Sequence, residues 1–178
     1  MSIQPLLAVI PGRGGSKGLP GKNILPLAGL PLICHSICLA KLCAGIANCI
    51  VSTDSEEIAA VARECGGEVP FLRPANLAGD DTPMWPVLRH ALAEMESRES
   101  CRYGSVLLLS PTSPARQPED VAKAIELLEQ DTHAVGVVAT SRPQFNPRWV
   151  CVDIASDGYM RQSFPDGKVY ARRQDVPV

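Results

Sequence analysis

Short apolar runs alternate with longer amphipathic stretches along this chain, and this alternation restricts its fold more than any other feature. Runs such as LLAVI at 6–10 are apolar at consecutive positions, which is typical of strands covered on both faces. We predict strands at 6–10, 48–53, 68–73, 105–109 and 134–140, and helices at 31–44, 55–66, 84–98 and 118–131. The pattern predicts a three-layer α/β/α, Rossmann-like fold with a mostly parallel sheet, in which ligands bind at the carboxyl ends of the strands.

Two helix starts and one irregular segment complete this outline. Asp54, with Glu57 three residues later, is typical of an N-cap box. Pro118, followed by two acidic residues, is typical of a first helical turn. Residues 141–170 break the alternation, because they are rich in proline, arginine and aromatic residues. This segment predicts a β-rich excursion or an arm that contacts another subunit.

Length and composition limit the class of protein. The chain has 178 residues, of which 46% are hydrophobic and 20% charged, with a formal net charge of −2. We expect one domain over 1–178. These values do not fit disorder, a coiled coil or general nucleic-acid binding. The sequence has no apolar stretch of membrane-spanning length and no signal-peptide pattern, so we expect a cytoplasmic protein that binds neither nucleic acid nor membrane.

The spacing of the cysteines does not indicate a metal site or a redox motif. There are seven, which is an odd number, and none of them are in C-x-x-C spacing. Most lie in apolar helix-like or strand-like surroundings. We therefore expect reduced, small core residues rather than disulfides or a metal site.

The segment GRGGSKGLPGKN at 12–23 contains five glycines and three basic residues directly after the first predicted strand. Glycines allow the backbone to approach an anion closely, and consecutive N–H groups form a concave nest. A Walker loop does not fit, because Ser16 stands where its first glycine is required. The dinucleotide fingerprint fails at Lys17. Phosphate binding and a flexible surface turn are the two interpretations of the segment.

Four motifs in order resemble the acylneuraminate cytidylyltransferases, which make CMP-sialic acid. They are IPGRGGSKGLPGKNI at 10–24, IVSTDSEEIA at 50–59, LRPANLAGDDT at 72–82 and LLLSPTSPAR at 107–116. The segment RRQD at 172–175 resembles a fifth. The related CMP-Kdo synthetases differ inside the opening loop, so GGSK favours the branch that uses nine-carbon sugar acids.

The resemblance implies a nucleotidyltransferase fold and a reaction. The anomeric hydroxyl of a 2-keto sugar acid attacks the α-phosphorus of CTP and releases pyrophosphate with the help of Mg²⁺. The partners implied are CTP, a sugar-acid substrate and a second copy of the chain, since a comparable arm reaches a partner subunit in the family. We therefore expect a homodimer with 141–170 as its contact arm.

The resemblance also implies roles for individual residues. Arg13, Lys22 and Arg173 correspond to cations of the catalytic site, the last of them near the pyrophosphate or the sugar carboxylate. The substrate-binding residues implied are Gly14, Gly15, Ser16, Lys17, Asn23, Arg73, Thr82, Ser110, Thr112, Ser113 and Arg172. The alternative interpretations are a surface arginine at position 73, a hydroxyl-capped turn at 110–113 and a solvated basic tail at 172–173.

Several departures from the family pattern leave the substrate open. The family has glutamine at the position of Ser110 and a serine near Met84, so legionaminate and pseudaminate are alternative acceptors. Its magnesium ligands lie on a late acidic strand beyond RRQD, whereas this sequence ends at Val178. We assign no residue to a metal. Asp54 is expected to cap a helix, and the resemblance implies that Asp80 and Asp81, in the turn at 79–82, lie near the cytosine base rather than beside the triphosphate.

Three hypotheses of different class follow. The first is a cytidylyltransferase for a nonulosonic acid. The second is a non-catalytic relative that binds sugar nucleotides. The third is a nucleotidyltransferase for another base or sugar acid, including Kdo.

Overall fold

The computed structural model describes residues 5–16, 18–140 and 151–163. Contacts divide the chain into two compact units, 1–137 and 138–178. The strands are β1 (Leu6–Pro11), β2 (Pro26–Leu27), β3 (Leu30–Pro31), β4 (Asn48–Ser52), β5 (Ser105–Leu108), β6 (Val152–Ile154) and β7 (Met160–Gln162). The helices are α1 (Leu32–Leu42), α2 (Glu56–Glu64), α3 (Met84–Glu99) and α4 (Pro118–Gln130).

The centre of the first unit is a parallel sheet with strand order β4-β1-β5. Val9 of β1 is in register with Ile50 of β4 on one side and Leu108 of β5 on the other. The apolar composition of β1 is explained by its position, because Leu7, Val9 and Ile10 are fully buried. The predicted α/β fold with a parallel sheet is confirmed.

Alternate residues of β1 enter two separate cores. Ala8 and Ile10 pack in one core with residues of α1, α2 and α4, while Leu7 and Val9 pack in another with residues of α3. Successive side chains of a strand point to opposite faces of its sheet, so helices cover both faces. This is the predicted three-layer arrangement.

All four predicted helices are confirmed, but one predicted cap is wrong. Helix α2 is capped by Ser55, whose Oγ accepts the N–H of Ile58 at 3.3 Å. Asp54 is one residue too early for this role. Helix α4 begins at Pro118 as predicted, and the Asp120 carboxylate accepts the N–H of Gln117 at 2.9 Å.

Two predicted strands are wrong. Residues 68–73 form only two isolated parallel bridges, one from Glu68 to Ile50 of β4 and one from Leu72 to Thr53 just after β4. Pro70, between them, has no N–H to donate. Residues 134–140 form no strand in the described structure. Val135 and Val138 are largely exposed there, so the apolar composition of the segment is not matched by burial.

The second unit is described only in part. Strands β6 and β7 form an antiparallel hairpin, with Asp153 in register with Arg161. The Asp157 carboxylate pairs with the Arg161 guanidinium, which holds the pKa of this carboxyl below its ordinary value. Residues 141–150 and 164–170 lie outside the described residues, and the contact arm stays a prediction. No helix in the described parts of the chain has the length and apolar character needed to cross a membrane.

The expectation of reduced cysteines is wrong for one pair. Cys34 of α1 and Cys65, directly after α2, form a disulfide with their Cα atoms 5.8 Å apart. The two residues are separated by 31 positions in sequence. Their proximity comes from the packing of α1 and α2 on the same face of the sheet, which sequence spacing alone does not reveal.

We predict that this disulfide stabilises the first unit. Loop-closure entropy for a bridge of this span corresponds to about 3–4 kcal/mol. Reductant should therefore lower the melting temperature of the wild-type protein and leave that of a Cys34→Ala/Cys65→Ala variant unchanged. Cys38→Ala, which removes an exposed free thiol from α1, is the matched control. An equal melting temperature of the wild type with and without reductant contradicts the prediction.

Candidate functional site

A cavity of about 360 Å³ lies at the carboxyl ends of the parallel strands. Pro11, the last residue of β1, lines it together with Ser110, which follows β5. Loops at this edge of a parallel sheet are where ligands bind in α/β proteins. The cavity is therefore the candidate functional site.

The glycine-rich loop forms one wall, and its course is fixed by hydrogen bonds to the end of β4. The N–H of Gly12 donates to the Ser52 carbonyl at 3.0 Å, and the N–H of Gly14 donates to Oδ1 of Asp54 at 3.1 Å. A Cβ on Gly14 would be 3.2 Å from the Cβ of Ser55. Glycine at position 14 therefore allows the close contact between the loop and the residues after β4.

The loop closes on itself through Asn23. The buried Asn23 amide donates to the Arg13 carbonyl at 3.1 Å and so ties the two ends of the loop together. Gly21, just before, has a φ of 66°, a left-handed conformation that favours glycine. The side chains of Arg13 and Lys22 reach the cavity from these two ends.

Arg73 forms a second wall of the cavity and is almost fully buried. Its Nε donates to the Ser52 hydroxyl at 3.2 Å, its Nη1 donates to the Leu77 carbonyl at 3.3 Å, and its Nη2 donates to the Ser52 carbonyl. Burial lowers the pKa of Arg73 from its ordinary value, and the neighbouring Asp54 carboxylate partly offsets this. These bonds use three of the five N–H groups of the guanidinium, and the other two have no hydrogen-bond partner among the described residues.

The segment after β5 forms the third wall. The hydroxyls of Ser110 and Thr112 are hydrogen-bonded at 2.9 Å, and both residues line the cavity. Arg116 holds this turn by donating to the carbonyls of Ser110 at 2.5 Å and Ser113 at 3.1 Å. Burial lowers the pKa of Arg116, which nevertheless stays protonated.

Most of the predicted site residues meet at this cavity. The lining includes Arg13, Ser16, Lys22, Asn23, Arg73, Thr82, Ser110 and Thr112. Gly14 and Gly15 are loop residues that do not line the cavity, and Ser113 contributes its carbonyl to the turn. Lys17, Arg172 and Arg173 lie outside the described residues, so their roles stay predictions.

Two residues that the sequence analysis did not assign to the site are part of its framework. Asp54 anchors the glycine-rich loop, and Arg116 fixes the turn after β5. Arg116 is the last residue of the motif LLLSPTSPAR, so the sequence could have indicated its role. Asp54 was assigned to helix capping, and the contact with Gly14 crosses 40 positions of sequence.

We predict that Asp54 shapes the loop through its hydrogen bond to Gly14. Asp54→Ala leaves that partly buried N–H without an acceptor, a change that costs about 1–3 kcal/mol and should weaken CTP binding by roughly 10-fold or more. Asp54→Asn keeps an oxygen acceptor and should retain most of the affinity. Isothermal titration with CTP measures both variants.

The matched control for this prediction is Asp131→Ala. The Asp131 carboxylate accepts the N–H of His133 at 2.9 Å in an exposed turn that does not line the cavity. Its loss should leave CTP affinity unchanged. If Asp54→Ala binds CTP as tightly as the wild type does, the anchoring role is wrong.

Comparisons with known proteins show the family of this chain. The sequence model of a family described as cytidylyltransferase matches residues 7–177. CMP-N,N′-diacetyllegionaminic acid synthase of Legionella pneumophila is 39% identical over 96% of this chain and 73% of its own length. N-acylneuraminate cytidylyltransferase of Escherichia coli is 36% identical over 78% of this chain, which spans 32% of that protein.

Solved structures are similar in fold. CMP:2-keto-3-deoxy-manno-octonic acid synthetase, complexed with CTP, has a TM-score of 0.62 and 26% identity, with 72% of this chain and 49% of that chain covered. A cytidylyltransferase from Leptospira borgpetersenii has a TM-score of 0.57 and 19% identity, with 73% and 51% covered, and shows the fold alone. The resemblance in the sequence motifs is confirmed, and the chain belongs to the cytidylyltransferase family.

Proposed function

We propose that this chain transfers the CMP group of CTP to a nonulosonic sugar acid and releases pyrophosphate. The observation that carries the proposal is the cavity at the end of β1, where Arg13, Lys22 and the glycine-rich loop come together. Positive charge and glycine-rich backbone at one edge of a parallel sheet suit a triphosphate. The names of relatives that act on legionaminic, pseudaminic and N-acylneuraminic acids support the acceptor class.

The proposed reaction is one displacement at phosphorus. The anomeric hydroxyl oxygen bonds to the α-phosphorus, the bond to the bridging oxygen of the β-phosphate breaks, and that oxygen leaves with the electron pair as part of pyrophosphate. The hydroxyl proton passes to solvent water. Such transfers depend on positioning and charge stabilisation, so the contribution of the protein is to hold the phosphates with Arg13 and Lys22.

We propose that the remaining walls orient the two substrates. Arg73 directs its two remaining N–H groups toward the cytosine carbonyl, since its other donors fix it rigidly to Ser52 and Leu77. The hydroxyls of Ser110 and Thr112 donate to or accept from the sugar acid or the nucleotide. Fixed donors of this kind favour one substrate orientation over others.

Magnesium dependence is a proposal that rests on the chemistry of the family. When bound with the triphosphate, the ion would neutralise part of the phosphate charge. Within 5–16, 18–140 and 151–163, no group of three or more histidine, cysteine or acidic residues lies together. Asp54 accepts the N–H of Gly14, and Asp80 pairs with Arg13. These carboxylates do not fit a magnesium site, and no step is assigned to the ion.

The experiment that tests the function is a pyrophosphate-release assay with a substrate panel. The nucleotides are CTP, UTP and ATP, and the acceptors are N-acetylneuraminate, N,N′-diacetyllegionaminate, pseudaminate and Kdo. We expect release only with CTP and a nine-carbon acid, and loss of release when EDTA removes the metal. CTP binding without release from any acceptor supports the non-catalytic relative, and release with another nucleotide contradicts the proposed base specificity.

Lys22 offers a prediction at the level of one residue. Removing its ammonium group with Lys22→Ala should weaken CTP binding by about 1.5–3 kcal/mol, which is the contribution of a hydrogen bond to a charged group. Cytidine, which lacks phosphate, should bind both proteins equally. Lys123→Ala, which removes an exposed lysine from α4, is the control. Unchanged CTP affinity in a folded Lys22→Ala variant contradicts triphosphate binding by this residue.

A further inference from the structure

An ion pair links two walls of the cavity. Nη1 of Arg13, in the glycine-rich loop, is 2.6 Å from Oδ1 of Asp80, in the turn at 79–82. Both residues line the cavity, and their side chains are 29% and 31% exposed. The N–H of Thr82 donates to the Gly79 carbonyl at 3.3 Å, which holds the turn that carries the carboxylate.

A carboxylate in this position is unexpected for a site that binds phosphate. The Asp80 carboxylate contacts the guanidinium of Arg13, and in the proposed function this guanidinium binds phosphate. Guanidinium groups bind carboxylates and phosphates through the same planar set of N–H donors, so the two anions compete for Arg13. The carboxylate also repels the negative charge of a phosphate nearby.

The strength of this ion pair suits exchange. Pairs between partly exposed side chains are weak, because water screens them. A triphosphate or pyrophosphate carries several negative charges and meets Lys22 in the same cavity, so it can replace one carboxylate. When the phosphate leaves, the carboxylate of the 79–82 turn is close enough to pair with Arg13 again.

We propose that Asp80 is an exchangeable counter-ion for Arg13. It pairs with the guanidinium in the empty site, gives it up to phosphate when nucleotide binds, and pairs with it again as pyrophosphate leaves. Asp80 is thus a positioning residue that acts through Arg13 and weakens the binding of pyrophosphate. The inference rests on the proposed function, because it requires phosphate at Arg13.

The test is isothermal titration of pyrophosphate, CTP and cytidine into wild-type protein and Asp80→Asn. Removing one negative charge next to the phosphates should tighten pyrophosphate binding on the order of 10-fold. The affinity for CTP should also increase, and the affinity for cytidine should not change. In the release assay, inhibition by added pyrophosphate should become stronger by a similar factor.

Asp81→Asn is the matched control, because it removes the same charge from the same turn at an exposed residue that does not line the cavity. It should change pyrophosphate affinity less than Asp80→Asn does. Asp80→Ser, with a shorter neutral side chain, should increase pyrophosphate affinity about as much as Asp80→Asn does. This second variant tests whether the effect is specific to the amide. Thermal melting confirms that each variant is folded.

The outcomes separate this inference from the function on which it rests. If the wild type binds pyrophosphate and Asp80→Asn binds it equally or more weakly, the exchange is wrong while the proposed function stands. Equal tightening by Asp80→Asn and Asp81→Asn also overturns the exchange, since it indicates a general charge effect. If the wild type binds neither pyrophosphate nor CTP, the proposed function fails and the inference fails with it.

Discussion

The burial of β1 between two helical layers is the constraint on which the site depends. Leu7 and Val9 enter one core and Ala8 and Ile10 the other, so the strand is held from both faces as well as by both neighbouring strands. Its carboxyl end is consequently fixed in position. The glycine-rich loop starts from that fixed end and is anchored again at the end of β4, which gives a flexible sequence a defined course.

The site combines opposite charges in a way that the loop alone does not suggest. Arg13, Lys22 and Arg73 supply positive charge, while Asp54 and Asp80 each contact the loop. The Asp54 carboxylate accepts a backbone N–H and therefore shapes the loop, whereas the Asp80 carboxylate pairs with a side chain that has a proposed phosphate ligand. In the proposed function, one acid thus supports the phosphate site, and the inferred exchange makes the other a competitor of the phosphate.

The parts that local pattern determines were predicted from the sequence, and the parts that depend on long-range packing were not. The helices and the three parallel strands follow from apolar spacing. The segment 68–73 has a strand-like composition, but Pro70 interrupts its pairing. The sequence pattern predicts Asp54 as the cap of α2, and only the folded structure shows that Ser55 caps the helix while the aspartate binds the loop. The disulfide likewise depends on how two helices pack.

The proposed function requires the glycine-rich loop to bind the triphosphate of CTP. Hydrogen–deuterium exchange of the backbone amides of residues 12–24, measured at sub-second labelling times, tests this claim directly. We expect slower exchange in this segment with CTP or pyrophosphate and no change with cytidine. Equal exchange with and without CTP at a saturating concentration, or slowing by cytidine alone, would contradict it.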